Sequence, residues 1–402
     1  GDFTVKENTV VTRFAPSPTG YMHIGNLRTA LYSYLIARHA HGRFILRIED
    51  TDRERLVEGA TDVILRTLEV TGLHYDEGPG VGGAHGPYVQ SERKPIYMEY
   101  AKRLVDADAA YYCFCTKERL SALHEEDENG GYDRHCRDLP AEEVERNLAA
   151  GMPFVIRQKM PLTGKTSYVD AVFGEISVEN EELQDQILVK ADGYPTYNFA
   201  HVVDDYLMGV THVVRGSEYL TSTPKYVLLY DAFGWERPTY VHLPLLMGKN
   251  ADGTVSKLSK RHGAVSFQDL LSDGFLPEAV INYIALLGWC PKGEDAEKEF
   301  FTLRELEETF SITGVNKSPS VFDFDKLLWF NGEYIKALPF ARFCELARPF
   351  LRTPFPPAVQ VDAVLALLQG RIGKLSEVEE KSAFSVPCRR MTWLCSKTRK
   401  TR

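Results

Sequence analysis

A chain of 402 residues with 44% hydrophobic and 26% charged residues is too long for one ordinary domain of ~100–200 residues and too apolar for a disordered or fibrous protein. No stretch approaches the ~18 unbroken apolar residues of a membrane span, the first residues lack the apolar core of a secretory signal, and seven cysteines are too sparse for a disulfide framework. The expectation is a cytoplasmic protein with reduced thiols; its net charge of −9 excludes a general basic coat but leaves room for a local stripe that binds phosphates.

In chain order, Thr9 to Thr12 reads as a short β-branched strand, and Leu27, Ala30, Leu31, Tyr34, Leu35 and Arg38 recur at helical spacing. Between them Pro16, Pro18 and Gly20 keep the backbone out of a regular element. The helix that follows aims unpaired N–H groups and its positive end at whatever lies in front, and an anion suits that position. A second strand is expected at 43–48, then a helix through Ile64, Leu65 and Leu68, a Gly-rich loop at 77–83 and a helix at 97–105. This is the start of a doubly wound α/β fold.

Short strands at 153–157 and 186–190 between turn clusters suggest a mixed insert from roughly 110 to 195. The α/β pattern resumes with a strand at 211–215 and a helix at 223–233, as in a nucleotide-binding domain split by an insertion. Beyond the loop at 253–263, helices are expected at 276–287, 303–310 and 324–330. After Glu380 no acidic residue occurs, while Lys381, Arg389, Arg390, Lys397, Arg399, Lys400 and Arg402 crowd the tail; no function is assigned to it.

Two segments carry chemistry. Arg13 to Arg28 contains His23-Ile24-Gly25-Asn26, and a flexible loop carries Lys257-Leu258-Ser259-Lys260-Arg261, three cations suited to charge on a transferring phosphoryl group and its pyrophosphate leaving group. Together they resemble the two signatures of class I aminoacyl-tRNA synthetases. Arg13 to Gly20, Arg47 to Asp52, Gly193 to Phe199, Val203 to Asp205, Thr211 to Gly216 and Val321 to Leu327 narrow the resemblance to glutamyl-tRNA synthetases, over residues 10 to about 376. The block Pro16-Ser17-Pro18-Thr19 sets the chain apart from glutaminyl-tRNA synthetases.

The resemblance implies an α/β fold: a Rossmann-like class I synthetase catalytic domain with an inserted α/β acceptor-binding domain and an α-helical C-terminal part. Its expected boundaries are 1–110 and 196–260 for the two catalytic halves, 111–195 for the insert, 261–330 for a helical stem-contact domain, and 331–402 for the start of an anticodon-binding region, truncated and ending in the basic tail. The implied reaction joins L-glutamate to ATP as an acyl-adenylate and passes it to the terminal ribose of tRNA(Glu). The partners are thus ATP, with its Mg2+, L-glutamate and tRNA(Glu), with no membrane, and the protein is expected to be a monomer. Competing readings are a truncated form that is catalytically impaired or only binds tRNA, a non-discriminating enzyme that also charges tRNA(Gln), and a synthetase that glutamylates a modified tRNA nucleoside, although such relatives generally end soon after the second signature.

By the family pattern Thr19, His23, Gly25, Asn26, Lys257, Leu258, Ser259, Lys260 and Arg261 contact ATP, with His23, Gly25, Asn26, Lys257 and Lys260 serving the chemistry. A glutamate substrate needs guanidinium partners for its carboxylates and a carboxylate for its ammonium. Arg13, Ala15, Ser17, Glu49, Tyr197, His201 and Arg215 are implied for it, Glu49 at the ammonium and Arg215 at the side-chain carboxylate; His201 stands where relatives often carry asparagine. Cys113, Cys115 and Cys136 suggest a Zn2+ site in the insert, with Asp138 at the family's final ligand position and His135 or Tyr132 as the alternative fourth ligand. Three reduced thiols without metal are the competing reading.

Overall fold

The structure, a computed structural model, describes residues 9–126 and 130–383. The basic tail beyond Lys381 lies outside them. In chain order the elements begin with β1 (Val11–Phe14), α1 (Ile24–His39), β2 (Arg43–Leu46), α2 (Ala60–Thr71) and α3 (Lys94–Asp106). There follow β3 (Ala110–Cys113), α4 (Lys117–Glu126), α5 (Ala141–Ala149), β4 (Val155–Gln158), β5 (Lys165–Asp170), β6 (Gly174–Glu179) and β7 (Ile187–Val189). Next come α6 (Tyr197–Leu207), β8 (His212–Gly216), α7 (Thr223–Phe233) and β9 (Thr239–Leu243). The remainder comprises β10 (Leu246–Lys249), β11 (Val255–Lys257), α8 (Phe267–Ser272), α9 (Pro277–Ala285), α10 (Leu303–Thr309), β12 (Ser320–Phe322), α11 (Phe324–Ala337), α12 (Phe340–Ala347), α13 (Val361–Leu368) and α14 (Glu377–Lys381).

The chain divides into two compact units. Unit 1 comprises Gly1–Leu245, Gly288–Lys298 and Arg304–Ser320, and unit 2 comprises Leu246–Leu287, Glu299–Leu303 and Val321–Arg402.

In unit 1, β1 pairs in parallel with β2, Arg13 standing opposite Ile45. The Thr211 N–H donates to the Val11 carbonyl at 2.9 Å, which sets β1 beside the approach to β8. All four residues of β1 are buried, as a parallel strand covered on both faces requires, and α1 is buried on nearly every side, Tyr32 and Leu35 included. β8 runs parallel to β9 with Arg215 opposite His242, and β5 joins β9 through Asp170 opposite Tyr240. β5 and β6 form an antiparallel hairpin on that sheet, whereas β3, β4 and β7 form a sheet of their own. The segment expected as one insert thus contributes to two sheets. Reading the sequence alone overlooked β5, in which Thr166, Tyr168 and Asp170 alternate inward, because a buried aspartate disguises the apolar alternation.

In unit 2, β10 and β11 form a hairpin that presents the second signature. A separate core gathers Ala279, Ile335, Phe343, Leu365 and Leu368 from α9, α11, α12 and α13, with Leu276 just before α9. Among the described residues no helix is long and apolar enough to cross a membrane.

Candidate functional site

The turn from β1 to α1 is organised by His23. Its backbone is extended (φ −63°, ψ 142°), and its Nδ1 accepts the Gly25 N–H at 2.9 Å, capping the helix. A neutral imidazole that accepts at Nδ1 carries its proton at Nε2. A Cβ on residue 25 would stand 3.1 Å from that Nδ1, which explains the glycine locally. Ser17, Thr19 and Asn26 are exposed, while Ala15, His23 and Gly25 are half-buried.

Behind the turn lies a buried network of charge. Arg13 Nε donates to Asp205 Oδ1 at 2.9 Å, and one terminal nitrogen of Arg47 bonds both Asp205 Oδ1 at 2.9 Å and Glu49 Oε1 at 3.0 Å. Asp204 accepts from Arg93 Nε at 2.7 Å, Tyr97 Oη at 2.6 Å and Gln90 Nε2 at 3.0 Å. Gln90 also donates to Glu49 Oε1 at 3.2 Å, so both groups that bind Glu49 use the same oxygen and Oε2 remains open. Asp205 Oδ2 is likewise buried with no hydrogen-bond partner. Three guanidiniums (Arg13, Arg47, Arg93) thus face three carboxylates (Glu49, Asp204, Asp205). Burial, partly offset by Arg47 and Arg13, raises the Glu49 carboxyl to about 7; Asp205, buried but paired with both arginines, is held well below the usual carboxylate range.

Arg215 is bonded differently. It is buried on β8 with its guanidinium among the rings of Tyr226, Tyr219 and Tyr240, at 4.7, 5.2 and 5.3 Å. Its Nε donates to His242 Nε2 at 3.3 Å, one terminal nitrogen to His201 Nε2 at 3.3 Å and the other to Thr223 Oγ1 at 3.0 Å. All three acceptors are neutral. His201 hands its Nδ1 proton to the Tyr197 carbonyl at 2.8 Å, and burial with Arg215 beside it lowers this imidazole to about 3. No carboxylate of the described residues forms an ion pair with Arg215. Of five N–H groups, three are committed and two remain, one on each terminal nitrogen.

Tyr197, His201 and Asp205 lie on one face of α6 at four-residue spacing, so this helix carries residues of both clusters. The Tyr197 ring stacks on His201 with centroids 4.8 Å apart and stays partly exposed. That i, i+4, i+8 series was the available sequence signal for Asp205, which sequence reasoning named, like Arg47 and Asp204, only inside a matching block and gave no role; Gln90, Arg93 and His242 it passed over.

In unit 2 the second signature leaves β11. Lys257, Lys260 and Arg261 are exposed, Leu258 is buried, and neither lysine forms an ion pair with a described residue. The His262 ring fixes the loop, accepting the Ser259 N–H at Nδ1 (3.0 Å) and meeting Asn250 Oδ1 at Nε2 (2.9 Å). Arg261 donates to Ser256 Oγ at 2.5 Å.

The thiols of Cys113, Cys115 and Cys136 lie within 4.8 Å of one another. The Tyr132 hydroxyl completes the group, 3.2 Å from Cys113 Sγ and 3.5 Å from Cys115 Sγ. Of the three residues expected at the fourth position, Tyr132 is the one that lies at the thiols. The turn at 134–137 brings the Cys136 N–H to the Tyr132 hydroxyl at 3.0 Å and folds that ring over the thiols, while Asp138 and His135 are exposed and outside the cluster. Arg157 lies 3.8 Å over the Tyr132 ring and Arg119 reaches Cys115 Sγ at 3.6 Å. A bond from Cys136 pushes the Cys113 thiol down to about 4. Three thiols within reach of one another supply three ligands of the kind a structural zinc takes, with the Tyr132 hydroxyl beside them.

The chain matches the family described as tRNA synthetases class I (E and Q), catalytic domain, over residues 9–329. It is 57% identical to the glutamate–tRNA ligase of Clostridium botulinum strain Hall over 381 residues, 94% of this chain and 77% of that protein. With the glutamate–tRNA ligase of Clostridium novyi it shares 59% over 379 residues, 93% of this chain and 76% of that one. Among solved structures it resembles the glutamate tRNA ligase of Elizabethkingia meningosepticum in complex with its amino acid, at TM-score 0.85 and 37% identity over 94% of this chain and 80% of that one. The glutamate-tRNA synthetase of Elizabethkingia anophelis gives 0.87 and 37% over 94% and 81%.

Proposed function

The chain belongs to the class I tRNA synthetase family of the glutamate and glutamine type, and on that premise we propose that Arg215 receives the side-chain carboxylate of L-glutamate. The activity is that of a glutamate–tRNA ligase: ATP and glutamate give glutamyl-adenylate and pyrophosphate, and the adenylate passes its acyl group to the terminal ribose of tRNA(Glu), releasing AMP. The observation that carries the substrate assignment is a buried guanidinium with two unused N–H groups and no acidic partner in contact. A substrate carboxylate supplies both the countercharge and the two acceptors.

The other roles follow from the same bookkeeping of donors and acceptors. Glu49 Oε2 and Asp205 Oδ2 lack donors, which an α-ammonium provides; we assign Glu49 to it, with Tyr197, Ser17 and Ala15 lining the substrate and Arg13 serving the α-carboxylate. That carboxylate attacks the α-phosphorus, and an in-line arrangement needs orientation more than covalent help. His23, through its Nε2 proton, and Asn26 are assigned to the ATP phosphates, with Thr19 and Gly25 beside the nucleotide. Lys257 and Lys260, with Leu258, Ser259 and Arg261, are assigned to the pyrophosphate as it leaves. Mg2+ accompanies ATP and neutralises phosphate charge. His201 acts through Arg215, whose guanidinium it orients.

Cys113, Cys115, Cys136 and Tyr132 are assigned to one structural Zn2+, which would tie β3 to the turn at 134–137. Residues 111–195 are assigned to the tRNA acceptor end and 261–330 to its stem. The thiols among the described residues are all free, in keeping with a cytoplasmic location.

Glutamate-dependent ATP–pyrophosphate exchange, measured with and without tRNA(Glu), tests the reading. Exchange is expected with glutamate and not with glutamine, and its absence under both conditions overturns the enzymatic assignment. Charging of tRNA(Gln) with glutamate in an aminoacylation assay would favour the non-discriminating alternative.

A further inference from the structure

Three adjacent strands carry a chain of side chains ending at Arg215, of which the reaction as described leaves Asp170 and His242 unused. Asp170 closes β5, His242 lies on β9, and Arg215 lies on β8 directly opposite His242. His242 Nδ1 meets Asp170 Oδ1, and His242 Nε2 receives the Arg215 Nε–H at 3.3 Å. Asp170 is itself held by backbone: Oδ2 accepts the Val172 and Phe173 N–H groups, both at 2.9 Å, and Oδ1 accepts the His242 N–H at 3.3 Å. All three residues are buried. Thr223 commits its only proton to the Tyr219 carbonyl at 2.7 Å and so serves Arg215 as an acceptor.

The arrangement dictates one state for His242. A carboxylate that already collects backbone donors can only accept, so the ring must offer Nδ1–H to it, and Nε2 is then a lone pair. That lone pair is what Arg215 Nε–H needs. The opposite tautomer would set Nε2–H against a guanidinium N–H and displace it.

We propose that Asp170 and His242 are a positioning pair that fixes Arg215, and that through it they set the preference for a carboxylate over a carboxamide in the substrate side chain. With Nε, one N–H of each terminal nitrogen and the aromatic faces occupied, the guanidinium cannot turn. Its two remaining N–H groups are fixed in place, and they donate to two oxygens but repel an amide NH2. The pair never touches the substrate; it acts through Arg215. The inference rests on the reading that Arg215 receives the side-chain carboxylate.

The test measures pyrophosphate exchange by the full chain with Arg215→Ala, His242→Leu, His242→Gln and Asp170→Asn. His242→Leu is expected to raise the KM for glutamate ~10–150-fold, the worth of one hydrogen bond to a charged group. The KM for ATP should stay within about twofold, and the glutamate-over-glutamine ratio should fall by a similar factor. His242→Gln, whose Oε1 can replace the Nε2 lone pair, should recover most of the loss, whereas Asp170→Asn should raise the KM for glutamate by freeing the tautomer, as removal of a buried orienting carboxylate does elsewhere. If Arg215→Ala leaves the KM for glutamate unchanged, the reading of Arg215 falls. If Arg215→Ala raises it and His242→Leu either leaves it alone or shifts both KM values equally, the positioning pair is overturned. A measurement on the unmodified protein does not depend on how variants fold: 15N spectra of labelled histidine should show His242 neutral with its proton on Nδ1, and an Nε2–H or doubly protonated ring overturns the proposal.

Discussion

At the scale of single residues, the pocket is governed by which charges find partners inside the protein. Glu49 is bonded at one oxygen and buried, and burial raises its carboxyl to about 7. The unfolded chain ionises the same group near its ordinary 4.5, so between those values the fold holds a proton that the unfolded chain has lost. This contribution to stability is complete below 4.5 and is lost as pH rises through 7. Binding a substrate ammonium demands the ionised form and therefore releases a proton below 7. The KM for glutamate should fall as pH rises from about 6 to about 7 and then level off. Titration calorimetry at pH 6 in buffers of different ionisation heat should register that proton, and a KM flat over the range contradicts the assignment of Glu49.

At the scale of elements, local geometry decides which side chains can act. The thiol cluster joins the end of β3 to a short turn, in which four residues of tight backbone return the Tyr132 hydroxyl to the Cys136 N–H; the proposed zinc site takes that hydroxyl as its fourth ligand. Metal analysis after gel filtration should find about one zinc per chain. Tyr132→Phe should weaken zinc at least about tenfold in competition with a chelator, since even an outer-shell partner is worth that much. Asp138→Ala and His135→Ala should leave affinity unchanged, and a loss with Asp138→Ala would restore the family's usual position as the ligand. The same scale explains α6, which places Tyr197, His201 and Asp205 one turn apart and so serves the uncompensated Arg215 and the compensated Arg13 with one helix.

At the scale of the molecule, each unit carries its own core. In unit 2, Phe343 and Leu365 are fully buried, and Phe343→Ala should cost ~3–5 kcal/mol as a cavity in a packed core. Hydrogen exchange should then accelerate in α11, α12 and α13, while amides of β1 and β2 keep their protection. Uniform acceleration through both units would show that this core is not a local one.

The sequence by itself marked the two signature segments, the split α/β pattern and the helical character of the later chain, because turns, periodicity and capping are local. It also pointed to Arg13, Glu49, His201 and Arg215 through a resemblance carried by short blocks. Tertiary structure alone decided how these residues are balanced. Asp204 and Asp205 sit more than a hundred residues from the arginines Arg13, Arg47 and Arg93 that neutralise them, and Asp170 reaches Arg215 only because β5, β9 and β8 are neighbours in one sheet. Charge compensation and tautomer are properties of contacts across strands, and no periodicity in the chain records them.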